Sequence, residues 1–591
     1  MISNTDIRYF FDTYYDNFMH SLAWEDHLLE PASREEWLAT LRACADDQQQ
    51  RCADNQILLE QYLYPLSSNP ALLSDEGYDL LLSFCRDFYY SNYTEPALLI
   101  RIIDILLPHY EDRSDTESLL FLYICAGFSY MELSRTGEPT SRDKTIYFYT
   151  KVLSYRDQIE FFESAASRDY IFIAYYNLIR VAPGLGILDI ETAYRLWEEL
   201  CQIRTMPKFC QYDTTNPRIP QLCDCAINDF RAYGAVLNVE RVIAPSAILS
   251  SLENMTQIYY SEILHEHGSI YECPVFTVFN YHYVQARNGT ITWEAAWQIL
   301  DDYYVHKMQT IGQVSSPDLL AFYTNLPLNL IDVLGHTHFK EEFKQATYRR
   351  YRNLITSYLM NQPASLNSYT LNNGVQLVAF HPLILGTFQN RMEKMNFIVD
   401  LVVTRHLTTF THSVMVSYLA EAIGKHILAA RPELLRIPSS YLEGNVYASP
   451  AEVLDYIVPA ALFHDIGKNG MIPIINTQHR KLNDYEFNII QTHPQKGSDY
   501  LSSDPDFLIY QPVALGHHRS YDGTRGYPLS FDNTASPYRD AIDLIHICDC
   551  LDAATDYLSR NYHRAKPFDV VLNELKAGRG TEYNPDMVDV I

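Results

Sequence analysis

The chain has 591 residues, 47% of them hydrophobic, with 45 basic and 73 acidic side chains and a formal charge of −28. That length is too great for one ordinary hydrophobic core, so two or more domains are expected, and the composition excludes a disordered chain. The acidity argues against nucleic acid or an anionic membrane as a partner, and the lack of any run of about 18 apolar residues predicts no membrane span.

The start, Met1-Ile2-Ser3-Asn4-Thr5-Asp6, has neither a basic region nor an apolar core and does not read as a secretory signal. The 11 Cys are odd in number and form no CxxC pair; Cys223/Cys225 and Cys548/Cys550 are spaced C-x-C. Reduced thiols and a cytoplasmic location are the expectation.

Up to about residue 360 the sequence reads as a succession of helices. Apolar and aromatic residues recur three and four apart in Glu95 to Leu107, Asp169 to Val181 and Ile190 to Ile203. Short breaks separate such stretches, as at Ser68-Asn69-Pro70 and Pro183-Gly184. Strand-like alternation is scarce, so the fold class is all-α. An antiparallel helical array is expected over residues 1–365, with tetratricopeptide packing the closest known pattern, and its role is interaction or regulation. Turn formers between Asn361 and Gly374 mark a joint. Residues 366–591 are expected to form a second domain, also helical.

That second part carries the chemistry. His412 sits near the start of the helical stretch Thr411 to Ala429, and the stretch Ala451 to Ile466 ends on His464-Asp465. Adjacent residues on a helix lie about 100° apart, so both can face one cavity at a helix end. Gly467 permits a tight exit, and Lys468 places a cation beside the site. His493 follows the stretch Asp484 to Thr492, His517-His518 follows Pro512 to Gly516, and Asp549 lies in the apolar stretch Leu544 to Ala553, with Asp552 its nearby competitor. Imidazoles and carboxylates in this number suit two divalent metals and a metal-activated water, and so a hydrolase.

These residues, together with Asp522-Gly523-Thr524-Arg525-Gly526-Tyr527-Pro528 and Gly578 to Pro585, resemble the HD-GYP branch of the HD phosphohydrolase superfamily in order and spacing over roughly residues 390–591. The resemblance implies an all-helical phosphodiesterase acting on cyclic di-GMP to give linear pGpG or GMP. It implies a first metal held by His412, His464, Asp465 and Asp549. A second is held by His493, His517 and His518, with Asp465 bridging. It implies iron or manganese as the metal, Lys468 as the catalytic lysine, and the loop Asp522, Gly523, Arg525, Gly526, Tyr527 and Pro528 as the wall of the substrate pocket. Arg519, Tyr521 and Tyr527 are candidates to contact the purines, and Arg525, Arg564 and Lys566 to bind the second phosphate.

The sequence departs from the family at Thr408, where three-metal members carry Glu, and at Arg519, Met415 and Asp543. The Arg-Pro-Tyr-Arg element is reshaped to Arg560-Asn561-Tyr562-His563-Arg564. No metal ligand is lost, but the substrate contacts are changed. Two other readings therefore stand beside the enzyme: a catalytically silent cyclic-dinucleotide sensor or adaptor, and a phosphohydrolase for another nucleotide. A protein partner for the N-terminal array and a homodimer complete the expectations.

Overall fold

The computed structural model describes residues 2–27, 33–90, 95–162, 164–215, 217–236, 246–310, 317–362, 369–403, 405, 407–439, 446–471, 480–556 and 565–591. Among these the fold is all-α: helices follow one another along the chain, and extended pairing is limited to isolated bridges such as Arg519 with Gly526. No helix among the described residues is long and apolar enough to cross a membrane. All eleven cysteines are free thiols.

The chain divides into two compact units, neither continuous in sequence. One comprises Met1–Arg8 and Tyr62–Tyr351, the other Tyr9–Gln61 and Arg352–Ile591. This differs from the single joint expected between residues 365 and 366. Part of that expected joint, residues 363–368, lies outside the described residues, while Asn372, Asn373 and Gly374 lie inside the helix Tyr369–Ala379. Local turn propensity is a weak prior that packing overrides, and Asn372 is buried there.

In the first unit, successive helices pack on their neighbours. The expected helices appear as Pro96–Arg113, Ala165–Tyr176 with a π-helical turn Asn177–Val181, and Ile190–Thr205. Many of the abundant tyrosines lie in the core, and several find partners for their hydroxyls, though that of Tyr304 has none. Tyr149 accepts from Asn177 Nδ2 at 2.9 Å, and Tyr303 donates to the Cys273 carbonyl at 2.7 Å. A buried ring of this kind contributes apolar area only if its polar end is satisfied.

In the second unit the first two helices, Asn4–His27 and Arg34–Leu58, contribute the segment Tyr9–Gln61. They are joined by a buried hydrogen bond from Asn17 Nδ2 to Asn55 Oδ1 at 2.8 Å. Tyr14 on the first helix reaches Arg480, whose Nε donates to its hydroxyl at 3.2 Å. Arg480 in turn grips Glu486 through two bonds of 2.7 and 2.8 Å. Glu486 also closes the capping box of the helix Asp484–Ile490 with Asn483. Both charged residues are buried, so each depends on the other for solvation.

Replacing Glu486 with Ala therefore leaves a buried guanidinium without its carboxylate and opens the capping box. The expected loss is about 3–5 kcal/mol, seen as an earlier unfolding transition of the whole chain in denaturant. Tyr14→Phe removes one hydrogen bond and is expected to lose only about 1 kcal/mol.

Candidate metal centre

Four histidines enter one buried space with the same orientation, which helix ends set for three of them. His464 caps the C-terminus of Pro450–Phe463, and its Nδ1 lies 2.6 Å from the Ala461 carbonyl. His493 follows Asp484–Ile490, and its Nδ1 lies 2.7 Å from the Ile490 carbonyl. His517 caps Gln511–Gly516, and its Nδ1 lies 2.9 Å from the Ala514 carbonyl. The last carbonyls of a helix have no partner within the helix, so each is free to take an imidazole proton three residues on. His412, inside the helix Leu407–Ala430, presents Nδ1 to Asp552 Oδ2 at 2.6 Å instead. All four Nδ1 partners are acceptors. Nδ1 therefore carries the proton in each ring, and Nε2 keeps its lone pair.

Those lone pairs converge on two aspartates. Asp465 Oδ2 lies 3.5 Å from Nε2 of both His412 and His464, while its Oδ1 lies 3.1 Å from His493 Nε2 and 3.6 Å from His517 Nε2. Asp549 Oδ1 lies 3.0 Å from His412 Nε2, and its Oδ2 lies 3.7 Å from His518 Nδ1. Two ligand sets result, Asp465 with His493, His517 and His518, and His412 with His464 and Asp549. The single carboxylate of Asp465 faces both.

The electrostatics suit cations. Burial pushes His464 down to about 3 and His493 down to about 4, so both rings are neutral near neutral pH, the form that binds metal. Burial by itself would raise the Asp465 carboxyl. The Lys468 ammonium against it outweighs that and holds the group well below the usual carboxylate range. His493 Nε2 and His517 Nε2 stand 3.1 Å apart, and two imidazole lone pairs at that separation repel unless a cation lies between or beside them. His464 Nε2 and Asp465 Oδ1 are buried without a hydrogen-bond partner. This donor set fits divalent metals.

The segment leaving His464-Asp465 presses directly on the helix that begins at His493. A Cβ on Gly467 would fall 2.0 Å from the His493 carbonyl oxygen and 2.5 Å from the Gly497 nitrogen, so only glycine fits. Lys468, on the 3₁₀ turn Ile466–Met471, contacts Asp465 Oδ2 with its ammonium. A mostly apolar cavity lined by Val402, Phe410, Leu462 and Ile466, with Thr409, Ser413 and Asn469, abuts Asp465.

The 519–528 loop lies over the second ligand set. The Tyr527 ring centroid is 4.6 Å from that of His518 and 6.1 Å from that of His493. Gly523 and Gly526 have φ of 72° and 85°, and a Cβ on Gly526 would lie 1.9 Å from the His518 carbonyl. Asp522 turns the chain by accepting from Ser520 Oγ and from both the nitrogen and the hydroxyl of Thr524. Arg519, expected to contact a purine, is instead buried, and its guanidinium donates to the carbonyls of Gly523 and Gly526. It braces the loop from inside through those two carbonyls, the nearest acceptors open to a buried guanidinium, while its Nε has no partner.

Arg525 pairs with Glu582 at 3.2 Å and Lys566 with Glu574 at 2.8 Å, both at the surface. Arg564 lies outside the described residues. The hydrogen-bonding role of Asp552, the helix-end carbonyls and a contact between the buried His546 and the partly exposed Glu582 were not read from the sequence. A histidine placed directly after a helical stretch was the available signal for the carbonyls.

Two substitutions test this geometry. Gly467→Ala must displace the His493 carbonyl, and metal bound per chain is expected to fall while far-UV circular dichroism keeps its helical form. Asp552→Asn can no longer hold the His412 proton on Nδ1 as a carboxylate does, and metal affinity is expected to fall by about 10–100-fold in a titration followed by calorimetry.

Residues 409–560 match the family described as HD domain. A cyclic di-GMP phosphodiesterase of Vibrio cholerae serotype O1 is 26% identical over 294 residues, covering 45% of this chain and 58% of the relative. The cyclic di-GMP phosphodiesterase response regulator RpfG of Xanthomonas campestris pv. campestris is 32% identical over 142 residues, 24% of this chain and 36% of the relative. A 3'3'-cGAMP-specific phosphodiesterase 2, also of Vibrio cholerae serotype O1, is 25% identical over 202 residues, 34% of this chain and 36% of the relative. The chain thus spans less than two thirds of the length of each. Residues 409–560 of this chain are an HD domain, and their histidine, aspartate and Gly-Tyr-Pro motifs follow the HD-GYP order.

Proposed function

We propose that this protein is a metal-dependent phosphodiesterase that opens a cyclic dinucleotide, with cyclic di-GMP the first substrate. The observation that carries the reading is the convergence of four imidazole Nε2 atoms on both oxygens of the buried Asp465. His412, His464, Asp465 and Asp549 would hold one divalent ion. His493, His517 and His518, sharing Asp465, would hold another, with iron or manganese suited to these ligands. Such ions supply Lewis acidity to a phosphoryl oxygen and make a nearby water more acidic.

The residues of the chain do the rest. Lys468, already against Asp465, offers its ammonium to negative charge developing on the phosphate. The ring of Tyr527, beside His518, offers a stacking face for a purine at the mouth of the site. Arg525 at the loop surface, and Lys566, can exchange their carboxylate partners for the second phosphate of a dianionic substrate. The relative specific for 3'3'-cGAMP makes a mixed cyclic dinucleotide the second reading, since the two ligands differ in one base and share the phosphodiester. The helical first unit is proposed to receive a regulatory signal or a protein partner, in keeping with the role of helical arrays elsewhere.

The test is incubation with Mn²⁺, or anaerobically with Fe²⁺, and either cyclic di-GMP or 3'3'-cGAMP, followed by chromatography. Linear dinucleotide or mononucleotide is expected, lost on chelation and absent with Asp465→Ala. Metal bound in stoichiometric amount with both substrates left intact would overturn the enzymatic reading in favour of a sensor.

A further inference from the structure

His546 and Glu582 take no part in either ligand set, yet the structure connects them to both the metal site and the loop over it. His546 lies on the helix Arg539–Thr555, three residues before Asp549 and almost fully buried. Its Nδ1 is 2.6 Å from the carbonyl oxygen of His517, and its Nε2 is 3.4 Å from Glu582 Oε1. Its ring packs on Tyr583 with centroids 5.3 Å apart. The other carboxylate oxygen of Glu582 lies 3.2 Å from Arg525 of the loop.

The backbone makes the same connection. Tyr521 donates to the Glu582 carbonyl at 2.9 Å and Asp522 to the Thr581 carbonyl at 3.0 Å. The segment around Glu582 is therefore fixed to the start of the loop by two main-chain bonds. It reaches the His517 peptide through one imidazole. An apolar pair of similar size would fill the space between helix and loop at a lower desolvation cost than a buried imidazole beside a carboxylate. What such a pair could not do is bind the His517 carbonyl, whose position sets where two successive ligand side chains leave the backbone.

We infer that His546 and Glu582 form a positioning pair that fixes the His517–His518 peptide and the 519–528 loop relative to the metals. Neither touches substrate. The pair acts through the second ligand set, in the way that groups behind a metal ligand commonly tune its affinity. The inference rests on the metal-phosphodiesterase reading above.

The experiment uses the full chain with the variants His546→Leu, Glu582→Leu, Glu582→Gln and the His546→Leu/Glu582→Leu double variant. Mn²⁺ is titrated and followed by electron paramagnetic resonance, which distinguishes a coupled pair of ions from an isolated one. Turnover of cyclic di-GMP is measured at each Mn²⁺ concentration. The expected result is a loss of about 10–100-fold in affinity for one of the two ions with the other unchanged. Excess Mn²⁺ should then restore kcat, and the double variant should be no worse than the weaker single one.

Wild-type affinity and kcat in the single variants, equal weakening at both ions, or additive losses would each overturn the inference. Glu582 is partly exposed, so Glu582→Gln carries the test should His546→Leu fail to fold. A wild-type chain that binds no Mn²⁺, or binds it and leaves cyclic dinucleotides intact, defeats the earlier reading. Active wild type with unchanged variants defeats only the positioning pair.

Discussion

Helix-end carbonyls holding imidazole protons away from the centre are the constraint on which the rest of the site depends. A neutral imidazole has one proton and one lone pair, and whichever nitrogen finds an acceptor keeps the proton. His464, His493 and His517 each find a carbonyl three residues back at the end of a helix. Their lone pairs are then directed inward with no rotamer left to choose. The same arrangement raises ligand basicity, since the acceptors lie at the negative end of a helix dipole.

Asp465 is the complementary half. A buried carboxylate carries a penalty of several kcal/mol unless charge and hydrogen bonds offset it, and here the Lys468 ammonium does so. Because each oxygen of one carboxylate faces a different pair of histidines, two sites are tied to a single side chain. Glycine makes the approach feasible. With any side chain at position 467, the turn that carries Lys468 could not rest on the His493 peptide.

Around this centre the second unit is built for support at a distance. The buried Arg480–Glu486 pair fixes the start of the short helix that leads to His493, and Tyr14 from the first helix of the chain covers it. A segment from the start of the chain is therefore part of the same compact unit as the metal-binding residues. Arg519 braces the loop from within, and the segment around Glu582 holds it from outside.

The periodicity of the sequence and its scarcity of strand alternation were enough to specify an all-α fold. The order of His412, His464-Asp465, His493, His517-His518 and Asp549 was enough to point to a set of donors that could hold metal, because metal-ligand types are few and side-chain identity fixes donor type. Contacts between distant segments could not be read in that way. Local pattern does not encode which helix Tyr14 meets, nor that Asn372 to Gly374 continue a helix rather than break it. Arg519 likewise looked available to a ligand until the turn folded its own carbonyls around it. The sequence by itself determined which groups this protein can offer a metal. The tertiary structure decided which nitrogen of each ring faces inward, which cations brace a loop instead of a substrate, and where the compact units divide. Those outcomes depend on acceptors and neighbours that come together only when the chain is folded.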